Sequence, residues 1–96
     1  MYIAVRRYDG VTDPEEAARI AREGFVPIIR EMPGFVSYYD VDARDRVMVS
    51  ISVFERKEAE EESTFRAGDF VAKDLEPLLP NPPQVTAGEV LTYQAG

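Results

Sequence analysis

Ninety-six residues with a net charge of −7, eleven basic against eighteen acidic, describe one small acidic domain spanning residues 1–96 and repel nucleic acid and acidic membrane surfaces. The chain has neither cysteine nor histidine, which removes disulfides, thiolate nucleophiles, thiolate zinc sites, the commonest metal ligand and the usual neutral-pH general base. No stretch has the length of a signal peptide or a membrane span, so a cytoplasmic protein is expected.

The first strand is predicted over "YIAVRRY", residues 2–8, from its β-rich alternation. "DGVTDPEE" breaks it and starts a helix, with Asp13 as N-cap, Pro14 in the first turn and Glu16 completing a capping box. Ala17, Ile20, Ala21, Gly24, Phe25, Ile28 and Met32 then recur at helical spacing, with Glu15 and Arg19 four apart on the solvated side. Pro27 removes an amide donor and crowds the preceding turn, so a kink is expected near Phe25. Pro33-Gly34 ends the helix.

A second strand follows over residues 35–42, a polar reversal at "ARDR", and a third strand over "VMVSISVFE", residues 47–55. A second helix is predicted from about Lys57 to Leu79, irregular near Gly68, its early glutamates suited to the positive end of the helix dipole. "PNPP" ends it, and "QVTAGEVLTYQ" is a fourth strand.

This order, βαββαβ, favours a ferredoxin-like α+β fold: an antiparallel sheet with two helices on one face and strands 1 and 3 central. Ile3, Val5, Val47, Val49, Ile51 and Val53 are assigned to the helix side. Tyr2, Ala4, Arg6, Tyr8, Met48, Ser50, Ser52 and Phe54 are left on the uncovered face, which is too apolar for water and calls for a second copy packed sheet to sheet. Burying ~500 Å2 of apolar area per subunit contributes on the order of 12 kcal/mol gross.

Taken with "MPGFVSYYDVD", "VMVSISVFERKEAEEES" and "LEPLLPNPP...AGEV", the pattern resembles the dimeric α+β barrel superfamily, close to antibiotic biosynthesis monooxygenase-like domains. The resemblance covers most of the chain. It implies a homodimer and a pocket for a small aromatic molecule, and it implies cofactor-independent oxygenation in which a bound polycyclic phenol is deprotonated and reacts with oxygen itself. Tryptophan, asparagine, tyrosine and arginine usually line such pockets. This chain has no Trp, and its one Asn is Asn81, in the proline-rich loop.

Adjacent side chains on a strand face opposite ways, so Tyr38 and Tyr39 serve different surfaces. Tyr39 is assigned to the helix side with Phe35, Ser37 and Val41 and Tyr38 to the dimer seam, an assignment that strand parity leaves open to exchange. The candidate ligand-binding set is Tyr39, Ser37 and Arg7 as polar contacts and Phe25, Phe65 and Phe70 as apolar walls. Against this stands packing alone, in which both tyrosines bury a ring and satisfy a hydroxyl and both arginines pair with surface acids. Ser50 and Ser52 have no histidine to activate them and are read as small residues at a packed seam. Asp40, Asp42 and Asp45 lack the glycine and glutamate of a calcium loop and are read as solvated hairpin carboxylates. No cofactor is expected. The competing reading is a non-catalytic dimerisation or accessory domain whose cleft its own side chains fill, favoured by the missing Trp, His and Cys.

Overall fold

A computed structural model describes residues Met1 to Gly96. Strand β1 (Tyr2–Asp9) leads to helix α1 (Pro14–Ile20), which passes through a π-helical turn at Ala21–Phe25 into helix α2 (Val26–Arg30). Strands β2 (Phe35–Asp42) and β3 (Val47–Phe54) form a hairpin, followed by helix α3 (Lys57–Phe70), a second π-helical turn at Val71–Leu75, and strand β4 (Gln84–Glu89). The sheet order is β2-β3-β1-β4, with every pairing antiparallel. This is the ferredoxin-like α+β arrangement expected, with β1 and β3 central.

The start of α1 follows the capping rule in part. The Asp13 carboxylate accepts from the Glu16 amide at 3.2 Å. Glu16 does not reach back to close a box. Its side chain and that of Glu23 pair with Arg19, displacing the Glu15–Arg19 pair expected from spacing. The break expected from Gly24 and Pro27 takes the form of the wider π turn, which seats Phe25 in the core at 3 % exposure. In the second helix the irregularity lies past Gly68, over Val71–Leu75. The fourth strand is shorter than expected, ending at Glu89.

The two faces of the sheet are exchanged relative to the sequence reading. Ala4, Arg6 and Tyr8 of β1 and Met48, Ser50, Ser52 and Phe54 of β3 are buried beneath the helices. Ile3, Val5, Val47, Val49 and Ile51 occupy the other face, each incompletely covered. The register enforces this, because Tyr8 opposes Met48, Arg6 opposes Ser50 and Ala4 opposes Ser52 on one face of the ladder. Strand alternation gives two sets; it does not say which set the helices cover. β-Branching favours the other set inward, whereas the helices cover the set that combines small residues with large aromatic and sulfur side chains.

Two apolar clusters hold the helices down. Tyr8, Val11, Ala17, Met48, Leu75 and Leu79 form one; Ala21, Phe25, Ile29, Phe54 and Ala67 form the other. Phe70 packs against both. A polar layer built on Arg6 lies between them along the strands.

Candidate active site

Arg6 is 1 % exposed and extends beneath α3. Its Nε donates to Ser50 Oγ at 3.0 Å, one terminal nitrogen donates to Thr64 Oγ1 at 2.9 Å, and the other donates to Ser52 Oγ. No carboxylate lies within ion-pairing distance of it. A guanidinium buried among hydroxyls alone keeps most of its positive field, because neutral oxygens solvate the charge without cancelling it. Ser50 and Ser52 are therefore its solvation shell rather than the seam residues expected.

Two carboxylates feel that field. On β2 the Tyr38 hydroxyl donates to Asp40 Oδ1 at 2.9 Å. Burial pushes the Asp40 carboxyl above its ordinary value, opposed by the Tyr38 hydrogen bond and by Arg6. Glu60, on α3, is raised chiefly by burial and accepts from Thr64 at 3.4 Å. Tyr38 itself is pushed far up, first by burial and then by the neighbouring Asp40 charge, so it remains a protonated donor.

Asp40 is thus no solvated hairpin carboxylate. It forms part of two hollows. Inside is a void of about 20 Å³, whose walls are mainly apolar, including Ala17, Phe25, Met48, Ala67 and Phe70, with Tyr8, Tyr38, Asp40 and Ser50 as its polar edges. Outside, between the α1–α2 arm and edge strand β2, runs an open groove of about 570 Å³ lined by Ala18, Arg22, Val26, Phe35 and Ser37. Tyr38 and Asp40 line both. The aromatic wall is continuous, since the Phe25 ring centroid lies 5.8 Å from Tyr38 and 5.6 Å from Phe70. Gly24 lets Phe70 come this close, because a Cβ there would lie 2.8 Å from its ring.

The candidate set separates on this frame. Phe25 and Phe70 wall the inner void, and Ser37 borders the outer groove. Tyr39 opposes Ile51 on the uncovered sheet face and is 54 % exposed. Arg7 opposes Val49 on that same face and pairs with Asp9. Phe65 projects outward from α3 at 74 % exposure. The expectation that Tyr39, Arg7 and Phe65 reach the cleft is corrected. Tyr38 lines both hollows where Tyr39 was expected, whereas Arg6, on the helix side in place of Arg7, is buried and lines neither. A bulge between Phe35 and Ser37 contributes to the error, because it sends Phe35 to the helix side and Ser37 to the opposite one.

Sequence reasoning missed Asp40 as well. One signal was available: Tyr38 and Asp40 stand two apart on a strand and must share a face, which places a carboxylate wherever the phenol is buried.

The uncovered face carries a shallow concavity of about 750 Å³, bounded by Met1, Ile3, Val36, Tyr39, Ile51 and Tyr93 among others. No helix is long and apolar enough to cross a membrane, and no group of three His, Cys, Asp or Glu side chains can hold a metal ion.

This architecture is the one found in antibiotic biosynthesis monooxygenase-like proteins. A Streptomyces coelicolor monooxygenase from the gene ActVA-Orf6, in complex with nanaomycin D, superposes with a TM-score of 0.77 at 21 % identity over 99 % of this chain and 91 % of that one. SnoaB, a cofactor-independent oxygenase from Streptomyces nogalater, gives 0.72 at 19 % identity over 96 % and 94 %. The heme-degrader MhuD from Mycobacterium tuberculosis, with two hemes bound in its active site, gives 0.72 at 14 % identity over 99 % and 100 %. At these identities the likeness establishes the fold. No family model and no curated protein matches the sequence.

Proposed function

We propose that this chain binds a small phenolic aromatic molecule between helices and sheet and oxygenates it without a cofactor, as a homodimer closed sheet to sheet. The observation that carries the reading is the hydrogen-bonded Tyr38–Asp40 pair on the wall shared by the inner void and the outer groove. The ring lies in the outer groove against Val26, Phe35 and the edge of the Phe25–Tyr38 wall, with Tyr38 as a polar contact and Ser37 at the border. Phe25 and Phe70 shape the depth of the cleft.

Asp40 is the base. A carboxylate pushed upward by burial lies closer to working pH than an exposed one, which improves its match to a weakly acidic C–H or O–H. Arg6, unpaired in charge, stabilises the substrate anion across the polar layer. For an anthrone, removal of a proton from the ring methylene gives a carbanion that reduces dioxygen. The methylene becomes a carbonyl, one oxygen atom enters the product and the other leaves as water. The similarity of fold to a monooxygenase and to a cofactor-independent oxygenase supports the reaction class.

The small inner void favours a second reading, an accessory domain with a self-filled cleft. The two are separated by oxygen consumption with an anthrone, together with quenching of tyrosine fluorescence on titration. Turnover lowered about 10²-fold or more in Asp40→Asn, with saturable quenching, is the expected result. Neither turnover nor saturation in the wild type would overturn the oxygenase in favour of the self-filled domain.

A further inference from the structure

The inner void is too small for any aromatic ring, and the groove outside it is large enough for one. We infer that the void is the seat of dioxygen and that the Tyr8 hydroxyl is the donor that meets the reduced oxygen there. The inference rests on the oxygenase reading and divides its site in two: substrate in the outer groove and oxygen in the inner void, the two sharing the edge lined by Asp40 and Tyr38.

Size is the first argument. A void of about 20 Å³ exceeds the roughly 10–15 Å³ that one water-sized body needs and leaves no room for a second ring. Polarity is the second. Water in such a space needs two to four partners, and of the four polar groups at its edge only the Tyr8 hydroxyl makes no hydrogen bond. The Tyr38 hydroxyl is spent on Asp40, and Ser50 Oγ accepts from Arg6. Ala17, Phe25, Met48, Ala67 and Phe70 supply carbon and sulfur surface that suits an apolar diatomic.

Tyr8 is the third. Its side chain is 4 % exposed and lines the void. Its hydroxyl has no hydrogen-bond partner and keeps accessible surface, so it is not sealed among carbon atoms. Neutral dioxygen is a poor acceptor, whereas superoxide and peroxide are strong ones, so this donor acts as charge develops on oxygen. The sequence is balanced. Asp40 takes the substrate proton, and one electron passes from the carbanion to dioxygen. The radical and superoxide join as a peroxide, which is protonated and loses water to give the carbonyl.

Two variants test this. Tyr8→Phe removes a hydroxyl with no partner and keeps the ring, so it should fold with unchanged thermal stability. Its kcat/KM for oxygen, measured with an anthrone as co-substrate, should fall at least tenfold while KM for the anthrone stays constant. Ala67→Val fills the void and should raise KM for oxygen severalfold. Independently of turnover, dissolved dioxygen under pressure should relax the methyl protons of Ala17, Met48 and Ala67 in the ligand-free protein more than those of Ala87. Oxygen kinetics unchanged in both variants, or no selective relaxation, would overturn the oxygen seat and leave the oxygenase standing. A wild type that never consumes oxygen would overturn both.

Discussion

Asp40 and Glu60 each bind a proton more readily in the folded chain than in the unfolded one, because burial disfavours their charged forms. The native state therefore holds more protons between the ordinary carboxylate pKa and the raised one, and stability decreases as pH rises through that interval. It is greatest below the unfolded value near 3.8 for the aspartate. Thermal melts from pH 7 down towards pH 4 should show this contribution as a rise in Tm superimposed on all others. Asp40→Asn should flatten the rise; an identical slope in the variant would refute the assignment. The same variant should lower turnover of an anthrone by about 10²-fold or more, the usual contribution of a positioned base.

Phe54 and Phe65 make a second test at this scale. Phe54 is fully buried and packs edge-on against Phe35, so Phe54→Ala should cost about 3–5 kcal/mol by denaturant unfolding. Phe65 is largely exposed, and Phe65→Ala should change stability by less than about 0.5 kcal/mol. Equal costs would mean that α3 turns a different face to the sheet. The contrast also shows why Phe65 was misplaced. Helical spacing groups it with Phe70 only if the register of α3 against the strands is already known.

Among the elements, the β2–β3 hairpin carries the strain. Arg44, Asp45 and Arg46 have φ values of 69°, 52° and 63°, three successive non-glycine residues in the left-handed region. Each costs roughly 1–2 kcal/mol relative to right-handed backbone. Arg46 offsets its share by donating to the carbonyls of Val11 and Gly10 at 3.3 and 3.4 Å, tying the hairpin to the β1–α1 loop. The Arg44 side chain makes no such bond. Arg44→Gly should therefore raise stability by about 0.5–1 kcal/mol, less the entropy that glycine adds to the unfolded chain, and Arg46→Gly should gain less or lose. Chemical denaturation of both variants checks the order. "ARDR" is readable as a polar reversal, but its handedness is not, because no glycine or asparagine marks it.

The α1–α2 arm contains one π-helical turn and α3 runs into a second, and Phe25 ends the first while Phe70 immediately precedes the other. The expanded turns widen the helices where their aromatic residues meet over the cleft. The Gly24–Pro27 spacing announced the first. Nothing comparable marks Val71–Leu75, where the bulge answers to packing of Leu75 and Leu79 against the sheet.

For the molecule as a whole, the open sheet face leaves Val36, Tyr39, Val41 and Tyr93 substantially exposed. The chain reaches a radius of gyration of 12.8 Å with this surface uncovered. A twin packed sheet to sheet would hide it and give Tyr39 and Arg7 a role that the cleft does not. Sedimentation should give a dimer, and Ile51→Asp, which places a charge in the middle of that face, should give a folded monomer. A wild type that sediments as a monomer at micromolar concentration would refute the sheet-to-sheet pairing.

The sequence by itself determined the order of elements, the antiparallel ferredoxin-like sheet and the position of the break in the first helix. These follow from alternation, helical spacing, Asp13, Pro14 and Pro33-Gly34, all of which act over a few residues. Which side of each strand the helices cover was decided only in three dimensions. The pattern of period two is the same viewed from either face, and a single bulge at Phe35–Ser37 shifts it further. Tyr38, Arg6 and Asp40 face the helices, and Tyr39 and Arg7 the open side, through that one choice of face. It is made by long-range packing of α1, α2 and α3, which no local signal in the chain encodes.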